Sequence, residues 1–386
     1  MKIVIAPDSF KESLTALEVA NAIESGFRSV FTDAEFVKVP MADGGEGTVQ
    51  SMVDATNGSF IDLEVTGPLG NKVMAQYGIL GTLQGEKSTT AVIEMASASG
   101  LHLVPRDKRN PLYTTSYGTG ELIKDALDRG IKHIILGLGG SATNDGGAGL
   151  AQALGIHFQD ENKKSMLFGG SALAKLAHID TSHIHPLLSQ CRIEVACDVD
   201  NPLCGEYGAS AIFGPQKGAT PEMVELLDKN LAHFADIIVQ NGFEDHRLLP
   251  GVGAAGGMGL GVKTFLNAEL KPGIEIVMES VGLAEQLEQA DLVITGEGRI
   301  DGQTVFGKTP MGVLKQANKK GVPTIGIAGT LGTDSDAILS HGMMATFPII
   351  PALDSLEQVL ADAEKNLMNT SRNIAAIMKL GQTINS

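Results

Sequence analysis

Tryptophan is absent from this chain and aromatic residues make up only 4% of it, so its core must be built from Ala, Val, Ile, Leu and Met. With 47 glycines, that core has to be threaded around many tight turns, the composition of an α/β enzyme. Cysteine is scarce: Cys191, Cys197 and Cys204 are odd in number and show no paired spacing, which excludes a disulfide framework and points to a reducing cytosol. No apolar run approaches the roughly 18 residues a membrane helix needs. The N-terminal MKIVIAPDSF reaches Pro7 and Asp8 too soon for a signal peptide. Positive charge is short as well, 29 Lys and Arg against 45 Asp and Glu, a net −16. Repulsion from dense phosphates argues against nucleic acid or an anionic membrane as partner. An anionic ligand would need local help from backbone N–H groups and a few cations gathered in loops. The chain is expected to be soluble, unprocessed and cytoplasmic, and at 386 residues it is long enough for two domains.

The pattern supports that division. KIVIA at 2–6 is an apolar β-branched run of the kind covered on both faces, and it is followed by the loop PDSFKES. Thr15 and Glu18 form a capping box for a helix running to Gly26. The same grammar returns near the other end. DLVIT at 291–295 reads as a strand, followed by a long loop, a helix from Pro310 to Gly321 and the strand PTIGIA; ATFPII and an amphipathic helix from about Ser355 close the chain. The two ends are expected to share one parallel sheet. Between them, residues 61–80 alternate on either side of GPLG, which predicts an antiparallel hairpin. HIIL at 133–136 and IEVAC at 193–197 read as strands, and a helix follows Pro221. The expected fold is α/β: a Rossmann-like parallel-sheet domain made of 1–60 and 275–386, an inserted α+β domain at 61–274, and an active-site cleft between them.

Several loops carry chemistry. Residues 302–309, GQTVFGKT, satisfy the phosphate-loop pattern. A P-loop needs its first glycine directly after the strand, however, and GEGRID separates Thr295 from it; no later strand ends in the usual metal-binding Asp. The loop is instead a candidate anion site. It packs Glu297, Arg299, Asp301, Gln303, Lys308 and Thr309 between a strand end and a helix start, where open α/β sheets bind ligands. The alternative is a solvated loop with a capping Thr. In GLGGSATNDGGAG, Gly137, Gly139 and Ala142 fit a dinucleotide fingerprint with Asp160 downstream, the best case for an NAD oxidoreductase. Asn144 to Gly147 nevertheless keep the chain in a loop past the point where that helix should begin. A glycine-rich anion cradle leading into a helix N-terminus, with Ser141 and Asn144 as donors, fits better. Asp43 and Glu46 in MADGGEGT, and Asp198 and Asn201 in CDVDNPLCG, are turn chemistry taken singly. Beside anion loops, they are what metal-assisted phosphoryl transfer needs. His178, His183 and His185 match no zinc spacing, and no G-x-S-x-G elbow is present.

APDSFKESL, MADGGEGT, RNPLYTTSYGTGELI, GLGGSATNDGGAG, CDVDNPLCG, FGPQKGA, GAAGGMGLG and ITGEGRIDGQTVFGKTP occur in this order, and the chain closely resembles the bacterial glycerate kinases of the type-1 family over nearly its whole length. The resemblance implies phosphorylation of D-glycerate, on the 2-hydroxyl in the bacterial members, with ATP as donor and Mg²⁺ as cofactor. It implies that Asp43, Ser141, Asn144, Asp145, Asp198, Asn201, Glu297, Asp301 and Lys308 hold motif positions. On this reading Lys11, Lys308 and the N–H groups around Gly139, Gly140 and Ser141 grip the anions, helped by Ser9 and Arg299. Asp145, Asp198 and Asp301 divide metal binding and proton acceptance, with Asp198 and Asp301 the metal candidates and Asp43 a further catalytic one. The rivals are phosphorylation of the 3-hydroxyl, an NAD-dependent hydroxyacid oxidoreductase and a non-catalytic binder of acidic metabolites. Monomer and homodimer are equally open.

Overall fold

The computed structural model describes residues 1–45, 47–81 and 89–384, and the chain divides into two compact units. The first consists of Met1–Asp43, Gln50–Asn57 and Ile274–Ser386; the second of Gly44–Val49 and Gly58–Gly273.

The first unit is built on a five-stranded sheet, in the order Ala345–Pro348, Thr324–Leu331, Leu292–Ile300, Lys2–Ile5, Glu35–Lys38, with every neighbouring pair parallel. The two chain ends do share a sheet, because Ile3, Val4 and Ile5 sit opposite Leu292, Val293 and Ile294. The capping box forms as read: Glu18 N donates to Thr15 Oγ1, and Thr15 N donates to the Glu18 carboxylate at 2.8 Å. That cap starts Ala16–Arg28, whose Val19, Ile23 and Phe27 are fully buried in one core with Ile3, Ile5 and Leu367. One expectation fails here. The strand begun by DLVIT does not end near Thr295; it runs on to Ile300, with Glu297 opposite Ala328 and Arg299 opposite Thr330. Its second half alternates glycine with charged residues, so it carries no apolar signal. Gly296 lets the neighbouring backbone approach closely there; a Cβ on it would lie 1.8 Å from the Ile327 carbonyl oxygen.

The second unit has a six-stranded sheet, in the order Glu269–Lys271, Arg192–Ala196, His133–Gly137, Thr90–Glu94, Lys72–Ile79, Ser59–Thr66. The last two form the expected antiparallel hairpin, Val65 opposite Val73, and Lys72–Ile79 also pairs antiparallel with Thr90–Glu94. The remaining neighbours are parallel, so this unit too is mainly a parallel-sheet structure with the hairpin at one edge. Its core runs through Leu136, Ile193 and Val195 to Phe158, Phe234 and Phe265, with the Phe158 ring meeting those of Phe234 and Phe265 edge to face. The carboxyl ends of His133–Gly137 and Arg192–Ala196 lie side by side and lead directly into GLGGSATNDGG and CDVDNP, so the sheet itself brings these two loops together. Among the described residues, no helix is long and apolar enough to cross a membrane, and all three cysteines are free thiols.

Candidate active site

In the first unit the site grows from the carboxyl ends of the parallel strands. Lys2–Ile5 leads into Asp8, Glu35–Lys38 into Asp43, and Leu292–Ile300 carries Glu297 and continues into the loop before the helix Thr309–Lys320. Asp8 accepts Ser9 N at 2.7 Å and Ser9 Oγ at 3.3 Å on one oxygen, and the Thr309 hydroxyl at 2.6 Å on the other. Burial raises its pKa above the usual carboxylate range, and the negative charge of Asp43 adds to the rise. Glu297 behaves alike. Burial pushes it up to about 7, Asp8 and Asp43 push the same way, and neither the Thr304 hydroxyl at 2.7 Å nor the Lys308 ammonium at 3.6 Å cancels them. Asp8, Asp43 and Glu297 therefore sense one another's charge with Lys308 as the nearby cation, an arrangement short of positive charge.

The sequence candidates Ser9, Asp43, Glu297 and Lys308 are thus gathered in this unit. Lys11 is exposed on the loop whose backbone nitrogen lies 3.6 Å from where a Cβ on Gly298 would stand. Arg299 and Asp301 pair with each other at 3.2 Å, and Asp301 also accepts Gln303 N. Asp8 is absent from the sequence candidates, although it is an acidic residue just past the first strand. Thr309, read as part of the candidate anion loop with a capping role as the alternative, is not the helix cap; the cap is Lys308. The phosphate-loop match does not become a P-loop. Residues 304–306 form a 3-10 turn, and the N–H groups of Gly302, Gln303, Thr304 and Phe306 bond back onto protein oxygens instead of facing outward.

In the second unit the glycine-rich loop after Gly137 is pinned on both sides. Leu101 N bonds Gly140 O, Ala142 N bonds Ser99 O, and Gly140 takes a left-handed turn at φ 72°. The turn at Gly44 and Gly45 rests against Gly137 and Gly139, and a Cβ on Gly44 would fall 3.3 Å from Asp198 Oδ2, so Gly139, Ser141 and Asp198 share one edge. Asp198 also accepts Gly273 N at 2.9 Å, while Asn201 donates to Tyr207 O. Glu46 lies outside the described residues.

The expected cradle at a helix N-terminus takes a different form. The helix Ala148–Ala153 is short, and its first amides are claimed from inside by Asp145. That fully buried carboxylate accepts Ser116 N and Oγ, Gly147 N and Gly149 N at 2.8–3.3 Å. Burial raises its pKa against those four donors. What remains as a candidate for a ligand is the stretch 139–144, where the Asn144 amide nitrogen donates to Ser210 Oγ but Asn144 Oδ1 and Thr143 Oγ1 are buried without partners among the described residues. Beneath it lies Lys217, unread in the sequence, donating to Ser141 Oγ at 2.8 Å and Thr143 O at 2.6 Å. The loop leaves no room behind it: Gly256 sits at φ 70° and a Cβ there would fall 2.1 Å from Thr143 O. Gly256→Ala is expected to lose about 2–4 kcal/mol through backbone strain and overpacking, read as a lowered thermal midpoint with a weakened substrate KM.

The comparisons with known proteins decide the family. The model of the glycerate kinase family matches residues 3–379. The chain belongs to the glycerate kinase family. It is 58% identical to the glycerate kinase of Haemophilus influenzae over 98% of this chain and 99% of that one, and 54% identical to the glycerate 2-kinase of Escherichia coli over 99% of each. A solved structure assigned as glycerate kinase 2 of Salmonella typhimurium LT2 superposes with a TM-score of 0.90 at 54% identity, covering 99% of both chains. The resemblance carried by the motifs therefore holds, and this family member is an enzyme of the kinase class.

Whether its residues suit a divalent ion can be asked of the donor chemistry. Among the described residues no group of three or more His, Cys, Asp or Glu could hold a metal ion. Mg²⁺ rarely asks for that, since one or two carboxylates completed by phosphate oxygens and water are its usual shell. Asp8, Asp43 and Glu297 offer hard oxygen donors whose mutual repulsion a cation would relieve. The donor set fits.

Proposed function

We propose that the protein transfers the γ-phosphoryl group of ATP to the 2-hydroxyl of D-glycerate, giving 2-phosphoglycerate. The observation that carries this reading is the carboxylate group of Asp8, Asp43 and Glu297 set against Lys308 and the Thr309 hydroxyl, at the carboxyl ends of parallel strands. Such a site has the hard oxygens for Mg²⁺ and an ammonium for phosphate, and phosphoryl transfer asks the protein mainly for positioning and charge neutralisation. The Escherichia coli relative supports the 2-hydroxyl as acceptor.

In this reading one or two carboxylates from among Asp8, Asp43 and Glu297 would hold Mg²⁺, which when bound would neutralise charge on the transferred group. Asp301, a candidate from the sequence, has its own counter-cation in Arg299 and so gains less from a metal. Lys308, and the exposed Lys11 with it, draws in the phosphates. Gly139, Gly140 and Ser141 offer donors to an anionic oxygen. Asp145 holds that loop from within, and Asp198 takes the acceptor hydroxyl's proton. Asp198→Asn is expected to lower kcat by about 10²-fold, the scale of general-base loss, while both ligands still bind by calorimetry; unchanged kcat would assign the proton elsewhere. An NAD-dependent oxidoreductase is disfavoured because Asp145 occupies the amides a dinucleotide pyrophosphate would need.

The test is ADP release over a panel of small hydroxy acids, with the product's phosphate position read by ³¹P NMR. Release with D-glycerate and a 2-phosphate product supports the proposal. A 3-phosphate product overturns the regiochemistry, and nicotinamide reduction without ADP release overturns the reaction class.

A further inference from the structure

Lys217 is a charged residue in a place that folding alone does not require. It ends the 3-10 turn Pro215–Lys217 with 1% of its surface exposed, and among the described residues its ammonium donates to a hydroxyl and a backbone carbonyl rather than to a carboxylate. Removing an ammonium from water without an ion pair is costly, and a Leu or Met of similar length would fill the space without that cost. The charged groups around it are few. Asp145 acts on it through space, and Arg109 flanks the next residue, its Cβ 2.9 Å from where a Cβ on Gly218 would stand and its buried Nε without a partner among the described residues. The other neighbours, Ser141, Thr143 and Ser210 on the adjoining helix Ala209–Phe213, are neutral.

The hydrogen bonds have a direction that the chemistry dictates. An ammonium has donors and no acceptor, so Ser141 Oγ accepts from Lys217. The Ser141 hydroxyl proton must then go elsewhere, and none of the described residues accepts it. Ser141 is pinned by its backbone bridge to Gly100, so the hydroxyl cannot drift away from the loop. We propose that Lys217 is a positioning residue of the phosphoryl-transfer site: by donating to Ser141 it turns that hydroxyl into an outward-facing donor for an anionic substrate oxygen, and it acts on that oxygen through Ser141 without touching it. This rests on the kinase reading. The oxygen belongs to a glycerate carboxylate or to a nucleotide phosphate, which share the required chemistry. Burial brings the Lys217 pKa down to about 7, so the charge is present below that pH and lost above it.

The experiment compares wild type, Lys217→Met, Lys217→Arg, Ser141→Ala and the Lys217→Met/Ser141→Ala double variant. ADP release is followed from about pH 5.5 to about pH 9, a range that brackets the lowered lysine pKa, with glycerate and ATP varied separately, and thermal unfolding checks each protein. For one substrate, kcat/KM is expected to fall at least tenfold in Lys217→Met and in Ser141→Ala, with the double variant no worse than the worse single. For the other substrate, KM should stay within about threefold. The substrate that responds identifies the oxygen: glycerate for a carboxylate, ATP for a phosphate. Wild-type kcat/KM for that substrate should decline as pH rises through about 7, and this break should vanish in both single variants. Lys217→Arg should restore part of the loss and move the break out of the range. Independent, multiplying losses in the double variant, or a pH break that survives in Lys217→Met, overturn the proposal. Should Lys217→Met fail to fold, the loss of the break in Ser141→Ala decides alone. Wild-type turnover separates the two readings: no ADP release with glycerate sinks the kinase reading and this inference together, whereas normal turnover with unchanged variants sinks only the role of Lys217.

Discussion

Lys308→Ala is expected to lower kcat by about 10²–10³-fold, roughly 3–4 kcal/mol of transition-state stabilisation, with the fold intact. The side chain is partly exposed and contributes no hydrogen bond to the cap it occupies; its ion-pair partner is Glu297 at 3.6 Å. Its removal therefore leaves the helix Thr309–Lys320 standing. What it takes away is the cation set against a group of carboxylates in which burial, helped by the neighbouring negative charges, already raises the pKa of Asp8 and Glu297. Two consequences work in the same direction. The approaching phosphates meet more negative potential, and Glu297 is driven further toward its neutral form, which makes it a poorer metal ligand. Lys308→Arg keeps the charge and should recover part of the rate, while Lys308→Met should not. Stopped-flow ADP release with a parallel thermal scan measures both effects, and near wild-type turnover in Lys308→Ala would remove this residue from the site.

The largest expected effect on stability comes from a carboxylate that no solvent reaches. Asp145→Ala strips the acceptor from Ser116 N, Ser116 Oγ, Gly147 N and Gly149 N at one stroke. These donors are buried, so each is left without water to replace the lost bond, and the cost is expected near 3–5 kcal/mol. For a unit of this size that corresponds to a fall in thermal midpoint on the order of 10 °C. Asp145→Asn keeps an acceptor for the three donors that meet Oδ2 and mismatches only Gly147 N, so it should fall between wild type and Ala. The ordering wild type, Asn, Ala in differential scanning calorimetry is the prediction. A midpoint within about 2 °C of wild type in Asp145→Ala would show that the loop does not depend on this carboxylate. Turnover in both variants should drop too, since the loop that presents Gly139 to Ser141 is held from Asp145.

Local signals were legible where the chain makes its structure from neighbours. Thr15 and Glu18 announce their helix because the cap closes within one turn, and the hairpin around GPLG announces itself through alternation and a turn. Glycine-rich and acidic loops at strand ends could be read as candidate ligand loops for the same reason. The extension of Leu292–Ile300 could not, because Gly-Glu-Gly-Arg is a strand only by virtue of the neighbouring strand it pairs with. Nor did the sequence disclose that the helix after Gly147 has its amides capped from within by Asp145, which depends on how the loop folds back on itself.

By itself, then, the sequence determined an acidic α/β protein with one parallel-sheet domain and an inserted α+β one, its candidate anion loops and its kinase family. Only the tertiary structure decided which residues share an environment. Asp8 meets Thr309 across 301 positions of chain, and Lys217 meets Ser141 across 76. The physical reason is one of range: caps and turns are closed by nearby atoms, but burial and through-space charge depend on what the whole fold brings near. A lysine in FGPQKGA looks like any surface lysine until the fold encloses it, and its chemistry changes only then.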